Sequence, residues 1–212
     1  MPTLVENFIE IGREGMRQRL KDQPYITTSS EGARQALIAN YTAAIAINFT
    51  DWMGKTLPWV RHELSRFVII DNLRCETVED HATMLEKFAE HCNATPTAMS
   101  YSHVNYGVRT VRGLFYTPYW AGLSGIALLA LLENTSMDFI PVLKQVAGEL
   151  RCPFEHQKYI RIHGEADITH SEQFLKALEA EASMGYGDQC APILGMVQST
   201  ANCLFDGIFG KF

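Results

Sequence analysis

Apolar residues recur three and four positions apart along most of the chain, while runs that alternate with period two are nearly absent. The pattern predicts helices almost throughout. The opening stretch MPTLVENFIEIGREGMRQRL reads as an amphipathic helix. Thr27, Thr28, Ser29 and Ser30 form a natural N-cap region, and Glu31 adds negative charge to the first turn of a helix expected over 33–51, punctuated by Gly54 and Pro58. Further helices are expected over about 59–72 and 78–92, and from Pro96 to near Gly113. Pro118 precedes an apolar segment, 119–133; residues 134–138 are expected to break it, and Pro141 to begin a short amphipathic piece. Pro153 then separates that piece from a long helix over 154–183, and the Gly185-Tyr186-Gly187-Asp188 turn leads to a last helix ending near Gly207. Seven to eight helices in an all-α bundle follow, with residues 1–212 reading as one domain free of repeats, linkers and low-complexity tracts.

Composition narrows the partners. Lys and Arg number 18 against 24 Asp and Glu, a net charge of 18 − 24 = −6, which argues against a nucleic-acid backbone as partner. The first helix carries charges throughout, unlike a signal peptide, so export is not expected. The most apolar stretch, 120–132, is about 13 residues, short of the roughly 20 that cross a bilayer, so a buried helix rather than a membrane span is expected. Five cysteines, an odd number with no CxxC pair, suggest neither a disulfide framework nor a thiolate zinc site, and reduced thiols in a cytoplasm are expected.

The candidate chemistry begins at His163-Gly-Glu-Ala-Asp167-Ile-Thr-His170. Each helical residue advances about 100°, so Asp167 lies about 40° from His163 and His170 about 20° on the other side. Two imidazoles and a carboxylate on one face are a nitrogen and oxygen set that suits iron or manganese better than thiophilic metals. A solvated polar face is the alternative, since Glu165, Glu172 and Lys176 share this helix. Further ligands would come from elsewhere. His81 follows Glu76, Glu79 and Asp80, but Glu76 and His81 are about 140° apart on a continuous helix and share a face only if the helix breaks between them. Glu133 closes an otherwise apolar helix, where a water-facing end carboxylate is the other reading.

The succession Glu76, His81, Glu133, then His163-x3-Asp167-x2-His170, resembles the ligand pattern of the heme-oxygenase-like di-iron oxidases and oxygenases. Asn72-Leu-Arg-Cys-Glu76 resembles that family's entry to its first ligand helix, and Phe88-Ala-Glu-His-Cys-Asn the continuation beyond the ligand histidine, so the likeness covers about residues 60–180. Family members usually have a longer Gly-containing insert where this chain has only Thr77 to Asp80, which leaves Glu79 as an alternative to Glu76. Ferritin-like proteins instead use paired Glu-x-x-His motifs, and the chain has no such pair.

The resemblance implies a heme-oxygenase-like bundle, two Fe(II) ions held by Glu76, His81, Glu133, His163, Asp167 and His170, O2 as co-substrate, and a homodimer. It implies a small organic substrate and an N-oxygenation, C–C cleavage, decarboxylation or nitrile-forming reaction. It would also set the helix bearing Tyr106, Arg109 and Arg112 across the active-site cavity, where an arginine would hold a carboxylate bidentately. A carboxylate-bearing substrate, an amino acid or derivative, is the corresponding expectation, against plain surface arginines. Related enzymes leave other readings open: self-consuming 4-aminobenzoate synthesis from a tyrosine such as Tyr25 or Tyr41, or metal-independent thiaminase-like chemistry. A non-catalytic helical binding protein is the reading from a different class.

Overall fold

In a computed structural model, residues 2–23 and 30–211 are described, apart from the side chains of 165–167. The helix starts follow from short polar residues that take up free backbone N–H groups. Thr3 and Glu6 form a reciprocal capping box that opens α1 (Leu4–Asp22), and Ser30 caps α2 (Glu31–Ile45). The order continues with α3 (Asn48–Thr56), α4 (Glu63–Val78), α5 (His81–His91), α6 (Ala98–Gly113), α7 (Pro118–Glu149), α8 (Lys158–Ala182) and α9 (Cys190–Ile208). Single 3-10 turns at Phe154–His156 and Gly187–Gln189 precede α8 and α9. Every regular element among the described residues is helical. Thr27, Thr28 and Ser29 lie outside the described residues.

Nine α-helices stand among the described residues, close to the seven to eight expected, but residues 33–51 are not one helix. The Asn48 side-chain amide donates to the Ala44 carbonyl at 3.0 Å, the acceptor its own backbone N–H would have used, and a new helix starts there. The opposite correction applies further on: α7 runs unbroken through 134–138 and Pro141. Asn134, Thr135 and Ser136 donate to carbonyls of α7 itself, those of Ala130, Leu131 and Glu133, rather than competing with the helix. Pro141 sits on the exposed side, where water can take the carbonyl its ring leaves unbonded. The helix expected over 59–72 is shifted to Glu63–Val78, so the break falls just before His81.

Helix α7 is the centre of the bundle, with α8, α1, α9 and α3 packed around it, while α6 lies on α9 and α2. By length and composition α7 is apolar enough to cross a membrane, but 72% of its most apolar window is buried inside the fold, as in the core helix of a bundle. Helices α6 and α9 touch through glycine. A Cβ on Gly107 would stand 2.4 Å from the Leu204 Cα, and one on Gly207 2.7 Å from the His103 carbonyl oxygen.

Two contacts fix the antiparallel register of α4 against α8. The fully buried Glu181 carboxylate accepts the backbone N–H groups of Arg61, at 2.9 and 3.1 Å, and His62, at 3.0 Å, together with the Tyr186 hydroxyl at 2.9 Å. One turn further in, Ser65 Oγ donates to the Ala177 carbonyl at 2.9 Å. From these anchors α4 and α8 run side by side toward Glu76 and His163.

Candidate metal centre

Glu76 lies in the last full turn of α4 and is buried. The chain then makes the break that its spacing to His81 demanded: Glu79 caps α4, Asp80 takes a left-handed conformation (φ 55°, ψ 51°), and His81 begins α5. The turn swings the imidazole back onto α4. His81 Nδ1 lies 2.9 Å from Glu76 Oε1, and its Nε2 lies 3.2 Å from Glu79 Oε2. His163 approaches from α8, its ring centroid 4.8 Å from that of His81 in an edge-on arrangement.

Metal-ligating atoms of Glu76, His81 and His163 all stand within 4.8 Å of one another, and all three residues are buried. Donors bonded to one ion at about 2.1 Å stand roughly 3–4 Å apart, so a small closure would bring this set onto a metal. A buried carboxylate with two imidazoles fits iron in donor chemistry. Burial, the strongest influence on His81, favours its neutral form; the hydrogen bonds and charges of Glu76 and Glu79 outweigh it, and its pKa is raised above the ordinary 6.5.

Glu133 and His170 form a second pair, with His170 Nδ1 4.0 Å from Glu133 Oε2. Glu133 is not a water-facing helix end: it sits in the middle of α7 and is only 5% exposed. The side chain of Asp167 lies outside the described residues. Five of the six predicted ligands are thus described, in a cluster of three and a pair.

Glu76, His81, Glu133 and His163 share one wall of a cavity that offers about 60 Å³ to the centre of a water-sized sphere. One water needs about 10–15 Å³ by this measure, so the space admits part of a small molecule. Met16, Phe49, Leu132 and Phe139 make apolar walls, and Tyr41 and Tyr159 add hydroxyls 3.0 Å apart. Neither Lys nor Arg is among the described lining residues. Tyr159 was not anticipated from sequence, although it lies one turn before His163 on α8 and its ring packs 4.2 Å from that imidazole. Tyr25 lies outside the described residues.

The expected substrate anchor is elsewhere. Tyr106, Arg109 and Arg112 are exposed on α6, which packs on α9 and α2 and contributes nothing to the cavity lining. Arg112 donates instead to the Asn48 side-chain oxygen at 3.2 Å. The three are not brought to this cavity: α6 meets α9 through the close contact at Gly107, and they lie on its exposed side.

A family of iron-containing redox enzymes, of the haem-oxygenase type, matches residues 31–191. The chain belongs to this family. As an iron-containing redox enzyme it is an oxidoreductase, and its all-α bundle is the heme-oxygenase-like one that the residue pattern resembled. The matched segment contains both the cluster and the Glu133–His170 pair. Helix α1 and nearly all of α9 fall outside it, yet they supply Met16, Phe205 and Ile208 to the cavity wall. No curated protein matches the chain.

Proposed function

We propose that this iron-containing redox enzyme is a non-heme di-iron oxidase or oxygenase, binding two Fe(II) ions and using O2 to oxidise a small molecule held in the cavity beside Glu76, His81 and His163. The observation that carries the reading is the buried cluster of those three residues on a cavity wall shared with Glu133. Glu76, His81 and His163 would hold one ion, and Glu133 and His170 a second, with Asp167 added from its phase on α8. Iron bound there supplies the activation of O2 that no side chain can provide. His81 would have to give up any proton held between its Nδ1 and Glu76 in order to serve as a ligand. Met16, Phe49, Leu132 and Phe139 exclude water and press the substrate toward the ligand wall.

The lining narrows the substrate. A free carboxylate would find no cationic side chain among the described lining residues, and burying it unpaired is costly. A substrate with an apolar body and a neutral hydrogen-bonding group suits the Tyr41–Tyr159 hydroxyls better, replacing the carboxylate-bearing amino acid that the arginines suggested. The test is O2 uptake by iron-loaded protein over a panel of small neutral alcohols, amides and esters beside free amino acids. Uptake stimulated by neutral members supports the reading; uptake stimulated by zwitterionic amino acids alone contradicts the substrate assignment, and none with any iron-loaded sample contradicts the oxidase.

Tyr41 on the cavity wall also favours a second reading, in which this tyrosine is itself consumed. Intact mass before and after turnover separates the two. Mass loss at Tyr41 supports self-consumption, and unchanged mass over many turnovers removes it.

A further inference from the structure

The three side chains of the cluster do not explain Glu79. Its carboxylate lies outside the cluster, 52% exposed, with Oε2 3.2 Å from Nε2 of His81, the ring nitrogen opposite the one that meets Glu76. A neutral imidazole carries one proton, and which nitrogen holds it is decided by the acceptor that the other side offers. Once a cation takes the place of the proton between His81 and Glu76, the remaining proton belongs on Nε2. Glu79 is the acceptor the structure gives that atom.

We propose that Glu79 is a positioning residue that accepts the Nε2–H of His81 and so fixes Nδ1, the nitrogen turned toward Glu76, as the lone pair offered to the metal. This rests on the metal reading given above. The turn explains how a half-exposed residue acquires the role. With only four residues between Glu76 and His81, the αR conformation of Glu79 followed by the left-handed Asp80 places two carboxylates on opposite edges of one imidazole. Without Glu79 the ring loses the acceptor that holds its proton on Nε2. Removal of such an outer partner costs metal sites about 10–100-fold in affinity, and the exposure of Glu79 puts this chain near the lower figure.

Zn(II) is the diamagnetic probe that tests it, with affinity measured calorimetrically on full-length wild type, Glu79→Ala, Glu79→Gln and His163→Ala, and with histidine nitrogens read by NMR in 15N-histidine-labelled Zn(II) protein. Glu79→Ala is expected to bind about 10-fold more weakly with unchanged stoichiometry and helical circular dichroism, and to lose the protected His81 Nε2–H signal. Glu79→Gln, whose side-chain oxygen still accepts that hydrogen bond, is expected to restore both to near wild type. Equal affinity and an unchanged Nε2–H signal in Glu79→Ala overturn the positioning role alone. A drop in stoichiometry in both Glu79 variants also overturns it, by making Glu79 a ligand. Absence of Zn(II) binding by wild type, or binding indifferent to His163→Ala, overturns the metal reading and the role of Glu79 with it.

Discussion

His81 Nδ1 meets Glu76 Oε1 at 2.9 Å although the two residues, five apart, would point about 140° away from each other on an unbroken helix. The contact exists because α4 stops at Val78 and Asp80 adopts φ 55° before α5 begins. That left-handed turn costs a residue with a Cβ roughly 1–2 kcal/mol, less for Asp than for branched side chains. Asp80→Gly should therefore keep Zn(II) affinity and leave stability unchanged or up to about 1 kcal/mol higher, whereas Asp80→Val should lose about 1–2 kcal/mol and weaken metal binding. Urea denaturation and calorimetric titration check both; an Asp80→Val protein that binds metal like wild type would show that the turn does not align the pair.

The raised pKa of His81 has a sign that can be tested in two ways. In the metal-free protein its protonated form is favoured by the fold, so its contribution to stability is present below the ordinary 6.5 and disappears as pH rises through the raised folded value. Metal must displace a proton from His81, so apparent Zn(II) affinity should rise about tenfold per pH unit up to that raised value and then level off. The levelling should lie above 6.5 in wild type and fall toward it in Glu76→Gln, because the charge that sustains the proton is removed. An affinity flat with pH from 5 upward would contradict the shared proton.

The all-α class was legible because the three- and four-residue spacing of apolar positions persists over most of the chain. That His163 and His170 ride on one helix was legible because local periodicity needs no tertiary information. The Glu76–His81 meeting was readable only as a condition, a helix break, since nothing local in Thr77 to Asp80 states which way the chain turns. Pro141 misled because its cost depends on which side of α7 faces water. The side of the bundle that Arg109 and Arg112 face was not legible for a similar reason. Their direction is set by Gly107 and Gly207, where α6 and α9 approach across nearly a hundred residues of sequence.

Glu181 anchors the register that brings α4 and α8 together. It is fully buried and accepts two backbone N–H groups and one hydroxyl, so Glu181→Ala would leave three donors without their partner at about 1–3 kcal/mol each before relaxation. A net loss of about 3–5 kcal/mol is expected from urea denaturation. Tyr186→Phe, which removes one of the three donors together with its need for a partner, should cost about 1 kcal/mol. A Glu181→Ala protein as stable as wild type would mean that the register is held elsewhere.

With α6 facing away from the cavity, Arg109→Ala and Arg112→Ala should leave KM within about twofold of wild type for whichever substrate stimulates O2 uptake. A buried ion pair with substrate would instead cost about 1.5–3 kcal/mol, roughly 10- to 150-fold in KM. Steady-state kinetics of the two variants decide between these values, and a rise of the larger size in either would return the arginine to the site.

The most direct test of the iron centre is an anaerobic Fe(II) titration of the full chain, wild type beside His163→Ala, with helical circular dichroism recorded on the same samples. The metal reading predicts saturation near two Fe(II) per chain in wild type, loss of at least one of them in His163→Ala, and the same helical spectrum in both. Saturation below one Fe(II) per chain in wild type, or a His163→Ala protein that binds as much iron as wild type, would contradict it.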